Sequence, residues 1–181
     1  RRLVIDTETT GLSPNYNKIL TIGMLLIEVE KKHLKILDSN HIFVKHNDYN
    51  VNSAALKVNG INLEEHHKMG IHPKKACKEI NLFITKNILQ ETPLIGHNIS
   101  FDKRFLNALF DQGDSLHKFH HESEDTMFLW RSLQNKNKVP QMLNSKLGTI
   151  ASHFNIDYKK AHDALADCHI TAKVYHNLIK I

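Results

Sequence analysis

The chain has 181 residues, 41% hydrophobic and 24% charged, and its 24 Lys and Arg outnumber its 19 Asp and Glu for a net charge of +5. These proportions exclude a disordered or low-complexity chain, and a length at which roughly 70% of the unfolded surface can be buried suits one domain over 1–181 and excludes a second full one. The basic surplus suits a polyanion such as nucleic acid, although a surplus this small also occurs in proteins that bind none.

Leu3 to Asp6 reads as a first strand, and Ile19 to Val29 and Leu34 to Val44 as two more, joined by the charged turn Glu30-Lys31-Lys32. Val51 to Val58 suggests a short helix closed by Gly60, and Pro73 opens a longer one with Ala76, Ile80 and Ile84 on one side. Pro93 to Gly96 offers a short buried strand. Ser100 is placed to cap a helix running to Gln112, with Gly113 as its stop. Thr126 to Leu133, Ser145 to Phe154 and Asp163 to Leu178 read as the last three helices, and Gln134 to Asn144 as a polar loop. A meander followed by strands interleaved with helices predicts an α/β domain with a mixed sheet.

Cys77 and Cys168 form no C-x-x-C and no disulfide framework, which fits a reducing, cytoplasmic location. The longest apolar stretch, Ile19 to Val29, is too short to span a bilayer, so no membrane partner is expected. No secretory signal is readable, and the start at Arg1 without a Met fits a trimmed chain.

Four acids stand out against the hydrophobic pattern. Strand alternation puts Val4, Asp6 and Glu8 on one face. Helical periodicity puts Asp102 with Phe105, Leu106 and Leu109, and Asp167 at the edge of the last helix's apolar arc beside Thr171 and Leu178. Each acid alone could be an N-cap or a salt-bridge member, Asp102 near a helix start being the clearest case. Together, with no buried Lys or Arg evident to pair them, they point to a shared divalent-metal site, because an isolated buried carboxylate costs several kcal/mol or more. Oxygen ligands favour Mg²⁺ or Mn²⁺ over zinc. His117, His120 and His121 lack a matching second pair for a zinc site and read as a solvated loop.

The segment Val4-Ile5-Asp6-Thr7-Glu8-Thr9-Thr10-Gly11-Leu12, with Gly96-His97-Asn98-Ile99-Ser100-Phe101-Asp102 and His162-Asp163-Ala164-Leu165-Ala166-Asp167, resembles the three motifs of the DEDDh family of 3′-to-5′ exonucleases. The wording D-T-E-T-T-G is most similar to the DnaQ-like proofreading subunits of bacterial replicative DNA polymerases. The resemblance implies a ribonuclease H-like fold, a five-stranded mixed sheet with helices on both faces, and identifies Asp125-Thr126 with the D-T that precedes a core helix. Two departures stand out. Asn59-Gly60-Ile61 replaces the H-G-I of the proofreading relatives, and Thr21 stands where a Glu is common.

By the family pattern two Mg²⁺ or Mn²⁺ ions, about 3.5 to 4 Å apart, would be held by Asp6, Glu8, Asp102 and Asp167. His162 would be the general base, an imidazole of pKa near 6.5 being suited to taking a proton from the attacking water at neutral pH. The sister subclass uses a Tyr four residues before the last Asp, and here that position is Asp163. Thr7, Thr9, Leu12, His97, Asn98 and Phe101 are the expected contacts to the terminal nucleotide. The implied partners are single-stranded or frayed 3′ ends, DNA rather than RNA, and a DNA polymerase subunit. Alternatives are an RNA 3′-end trimming exoribonuclease and a non-catalytic polymerase-binding or nucleic-acid-binding module.

Overall fold

A computed structural model describes residues 1–158 and 162–181. Three strands open the chain: β1 (Arg2–Thr9), β2 (Ile19–Val29) and β3 (Leu34–Phe43). The β2–β3 turn is closed by paired backbone hydrogen bonds between Glu30 and His33. Three helices follow, α1 (Ser53–Asn59), α2 (Leu63–Met69) and α3 (Pro73–Lys86), then β4 (Leu94–Gly96), α4 (Ile99–Gln112) and β5 (Ser123–Asp125). The chain ends in α5 (Thr126–Asn135), α6 (Leu147–His153) and α7 (Ala164–Leu178).

The sheet order is β3-β2-β1-β4-β5, antiparallel across β3, β2 and β1 and parallel across β1, β4 and β5. This is the expected α/β mixed sheet. Strand alternation sorts its side chains into two cores. Leu3, Ile5, Ile22, Met24 and Leu26 pack against α3 and α4, whereas Val4, Leu25, Ile27 and Ile95 pack against Cys168, Ala172 and Tyr175 of α7. β2, flanked by strands and covered on both faces, is therefore buried without interruption from Ile19 to Ile27. A third cluster, built on the fully buried Trp130, joins α5 and α6 to the far side of α7.

Gly23 sets the approach of α7. It lies opposite Asp6 in the β1–β2 register, and a Cβ there would collide with the Ala164 carbonyl at the start of α7. The helix can therefore rest its first turn directly on the sheet beside Asp6.

Three sequence expectations change. Ser100 does not cap α4: the N-cap is Asn98, in the left-handed region at φ 64° and with no capping bond from its own side chain. The carboxylate of Asp125 takes that role from a distance, accepting from the backbone N–H of Asn98 and of Ile99, each at 3.0 Å. Second, two elements went unread. α2 is about two turns started by Asn62, whose side chain accepts from Glu64 and Glu65 N–H. β5 is three polar residues, too short to show a period, and Glu124 within it is fixed by Arg2 Nε at 2.8 Å and by the Tyr175 hydroxyl at 2.7 Å. Third, the loop read from Gln134 begins later, because Gln134 belongs to α5 and is buried, donating to the Pro140 carbonyl at 3.1 Å.

Candidate active site

The four acids converge at the carboxyl end of β1. Asp6 and Glu8 project on the α7 face, one residue either side of Thr7, which projects on the other. Thr7 is buried and its hydroxyl donates to Asp102 Oδ1 at 2.7 Å, tying the first turn of α4 to the strand. Asp102 is thus neither an N-cap nor an ion-pair member, since it sits inside the helix and is 3% exposed. Asp167, in the first turn of α7, is 5% exposed. Its Oδ2 accepts the backbone N–H of His162 at 3.1 Å, and its Oδ1 is buried with no partner among the described residues.

His162 closes the group. Ligand atoms of Glu8, His162 and Asp167 all lie within 4.8 Å of one another. The His162 backbone is left-handed at φ 69°, a region that costs a non-glycine residue of order 1 to 3 kcal/mol and that clusters at functional sites. That conformation is what turns the N–H toward Asp167. Asp163, the next residue, caps α7 by accepting from Ala166 N–H at 2.8 Å, and its charge adds to those that raise Asp6, Glu8 and Asp167.

Burial raises every carboxylate, and neighbouring like charge adds to it. Burial, and then the charges of Asp102, Asp167 and Glu8, hold Asp6 well above the usual carboxylate range. Burial and Asp167 push Glu8 up to about 8 against an opposing hydrogen bond from Asn59. Burial raises Asp102 to about 7, opposed by the Thr7 hydroxyl, and raises Asp167, opposed by the His162 N–H and imidazole. No Lys or Arg among the described residues is paired with any of the four. Without a cation such a cluster must hold protons near neutral pH, and a divalent ion offers the missing compensation. The unpartnered Asp167 oxygen and the all-oxygen donor set fit Mg²⁺ or Mn²⁺.

Beside the acids lies a cavity of ≈ 360 Å³ whose lining includes Glu8, Thr9, Leu12, Val58, Asn59 and Phe101. Thr7 lines it as well. Thr9 is held by a bond from its hydroxyl to the Gly11 carbonyl at 2.6 Å. Leu12 is 76% exposed, an apolar wedge standing free at the rim. Phe101 leans on Phe105 with ring centroids 4.8 Å apart. His97 and Asn98 are not part of this lining. His97 is tied through Nδ1 to the Thr126 hydroxyl at 2.9 Å, and Asn98 is exposed at the head of α4.

A family model described as Exonuclease matches residues 3–175. The chain belongs to this exonuclease family. It is accordingly a nuclease, a hydrolase of phosphodiester bonds. Among curated relatives it is 30% identical over 178 residues to the PolC-type DNA polymerase III of Halalkalibacterium halodurans, covering 98% of this chain but 11% of that protein. It is 29% identical over 186 residues to ribonuclease T of Wigglesworthia glossinidia brevipalpis, covering 98% of this chain and 83% of that one. Among solved structures, Escherichia coli exonuclease I in complex with a dT13 oligonucleotide superposes with a TM-score of 0.82 at 18% identity, covering 98% of this chain and 40% of that one. This last likeness shows the ribonuclease H-like fold.

Three residues of the exonuclease's site lie outside the recognised motifs. Asn59 donates to the Thr9 carbonyl at 3.2 Å and so ties α1 to the strand end. Asp125 organises the head of α4, as described. Tyr158 packs beside His162. The D-T resemblance marks Asp125, and Asn59 stands out as a departure. Tyr158 stands four residues before His162 and belongs to none of the three motifs.

Proposed function

We propose that the chain is a 3′-to-5′ exonuclease domain, spanning 1–181, that removes nucleoside monophosphates from single-stranded or frayed DNA ends. The observation that carries this reading is the group of four inward carboxylates, one with a buried unpartnered oxygen, beside a cavity large enough for a terminal nucleotide. Asp6, Glu8, Asp102 and Asp167 would hold two Mg²⁺ or Mn²⁺ ions. When bound, the ions supply charge neutralisation of the phosphate and of the leaving 3′ oxygen, and a more acidic attacking water.

The remaining work falls to the protein. Thr7 keeps Asp102 turned toward the strand end, and the His162 N–H orients Asp167. The exposed imidazole of His162 is placed at the acids to take the proton from the attacking water as the phosphodiester opens. Thr9, Leu12 and Phe101 would hold the terminal nucleotide, with Leu12 separating it from its neighbour. His97 and Asn98 would act from the outer edge, where the strand leaves the cavity.

The dT13 complex of the structural relative and the polymerase relatives favour DNA, and through the latter a polymerase partner. The ribonuclease T relative, covered over most of its length, favours RNA 3′-end trimming as the second reading. Single-turnover digestion of end-labelled single-stranded DNA, mismatched-end duplex and RNA, with Mn²⁺ or with excess chelator, separates them. The expected order is single strand and mismatched end faster than paired end, because melting a terminal pair adds of order 1 kcal/mol, and DNA faster than RNA. Full activity in chelator, or internal fragments as first products, would contradict the proposal.

A further inference from the structure

His162 reaches the acids from an exposed position. Its backbone is fixed by the bond to Asp167, but an exposed imidazole can still turn about χ1 and χ2, and only some of those orientations face the cleft. Against its ring stands Tyr158, with centroids 6.3 Å apart and planes at 79°, an edge-to-face arrangement. Tyr158 itself is well anchored. It packs on the α5–α6–α7 cluster, and its ring lies over Gly148 in α6, where an added Cβ would stand 2.7 Å from the Tyr158 Cε1 carbon. Gly148 is the second residue of α6, and its missing side chain makes the seat for the tyrosine ring.

We propose that Tyr158, seated on Gly148, is a positioning residue that holds the His162 imidazole in the orientation facing Glu8 and Asp167. This rests on the reading of His162 as the general base. The phenol does not replace the base: burial, and then the charges of Asp167, Asp6 and Glu8, push it up to about 12, so it stays protonated at neutral pH. Its contribution is the ring, which restricts the imidazole in advance of catalysis, when a misplacement of about 1 Å can cost on the order of 10²-fold in rate.

The test is a double-mutant cycle of Tyr158→Ala with His162→Ala, read as single-turnover rates on single-stranded DNA at saturating Mn²⁺. Tyr158→Ala in the parent should slow the reaction by about 10- to 100-fold, with Mn²⁺ affinity unchanged by calorimetry. In the His162→Ala background it should add no further loss, because a positioning residue has nothing left to position. Tyr158→Phe keeps the ring and should stay close to the parental rate. If Tyr158→Ala does not melt cooperatively, Gly148→Ala serves instead, since it pushes the ring from its seat.

Equal losses from Tyr158→Ala in both backgrounds, a Tyr158→Phe rate as low as that of Tyr158→Ala, or a parental rate in Tyr158→Ala would each overturn the proposal. A parental rate in His162→Ala would instead overturn the base reading, and the positioning role with it.

Discussion

His162 and Asp167 hold each other in place, one by a backbone N–H and the other by a carboxylate oxygen, yet they are assigned different chemistry. That difference is measurable. His162→Ala leaves the side chains of Asp6, Glu8, Asp102 and Asp167 intact, so Mn²⁺ affinity should change little while the rate falls by about 10²- to 10⁴-fold. Single-turnover rates at saturating Mn²⁺ check this, and near-parental turnover would remove His162 from the role of base. The carboxylates were legible at this scale because each breaks a hydrophobic period, a signal local to its own strand or helix. The partners that hold them were not. The Thr7–Asp102 bond spans 95 positions of the chain, and nothing in a period of two or 3.6 residues announces a contact over that separation.

At the scale of elements, the site depends on how α4 and α7 are brought head-first to β1. Gly23 allows the approach of α7, and Asp125 organises α4. The Asp125 carboxylate caps two helices at once, accepting from Asn98 and Ile99 at the head of α4 and from Met127 in α5 at 2.9 Å. Asp125→Ala should therefore lose two caps, at about 1 to 2 kcal/mol each, read as a lower urea midpoint with an unchanged m-value. A loss below about 1 kcal/mol would show that other groups satisfy those N–H groups. The long strands, α3 and α7 were readable because their patterns run for ten residues or more. β5 and α2 were not, since both are short and mostly polar and lack the Gly, Pro or apolar run that marks the equally short α1, β4 and α6, and Ser100 is not the cap because the true capping group lies 26 and 27 positions from the N–H groups it accepts from.

Across the whole molecule, the charge that suits the ligand works against the fold when no ligand is bound. Glu8 and Asp102 have folded pKa values of about 8 and about 7, above the ordinary 4.5 and 3.8. The folded state therefore binds more protons than the unfolded one, and stability is lost as pH rises from the ordinary values through the folded ones. The buried His46 and His66 and the half-buried His97 have lowered pKa values, so they are neutral in both states above about pH 7 and do not mask the effect there. The melting temperature of the metal-free protein should fall between pH 7 and pH 8.5, by about 2 to 4 °C for each kcal/mol lost. Mn²⁺ should restore it, and by more at the higher pH. A metal-free melting temperature that is flat or rises over this window would contradict the account of the cluster.

The chain spans 11% of the PolC-type relative and 40% of the exonuclease I chain it resembles. No helix among the described residues is long and apolar enough to cross a membrane. The central claim concerns the four carboxylates, and calorimetric titration with Mn²⁺ tests it most directly. The parent should bind about two ions per chain, and Asp167→Asn, which keeps its shape but loses the charge, should bind more weakly or with fewer ions while melting as cooperatively as the parent. No binding in the parent, or the same binding in Asp167→Asn, would contradict it.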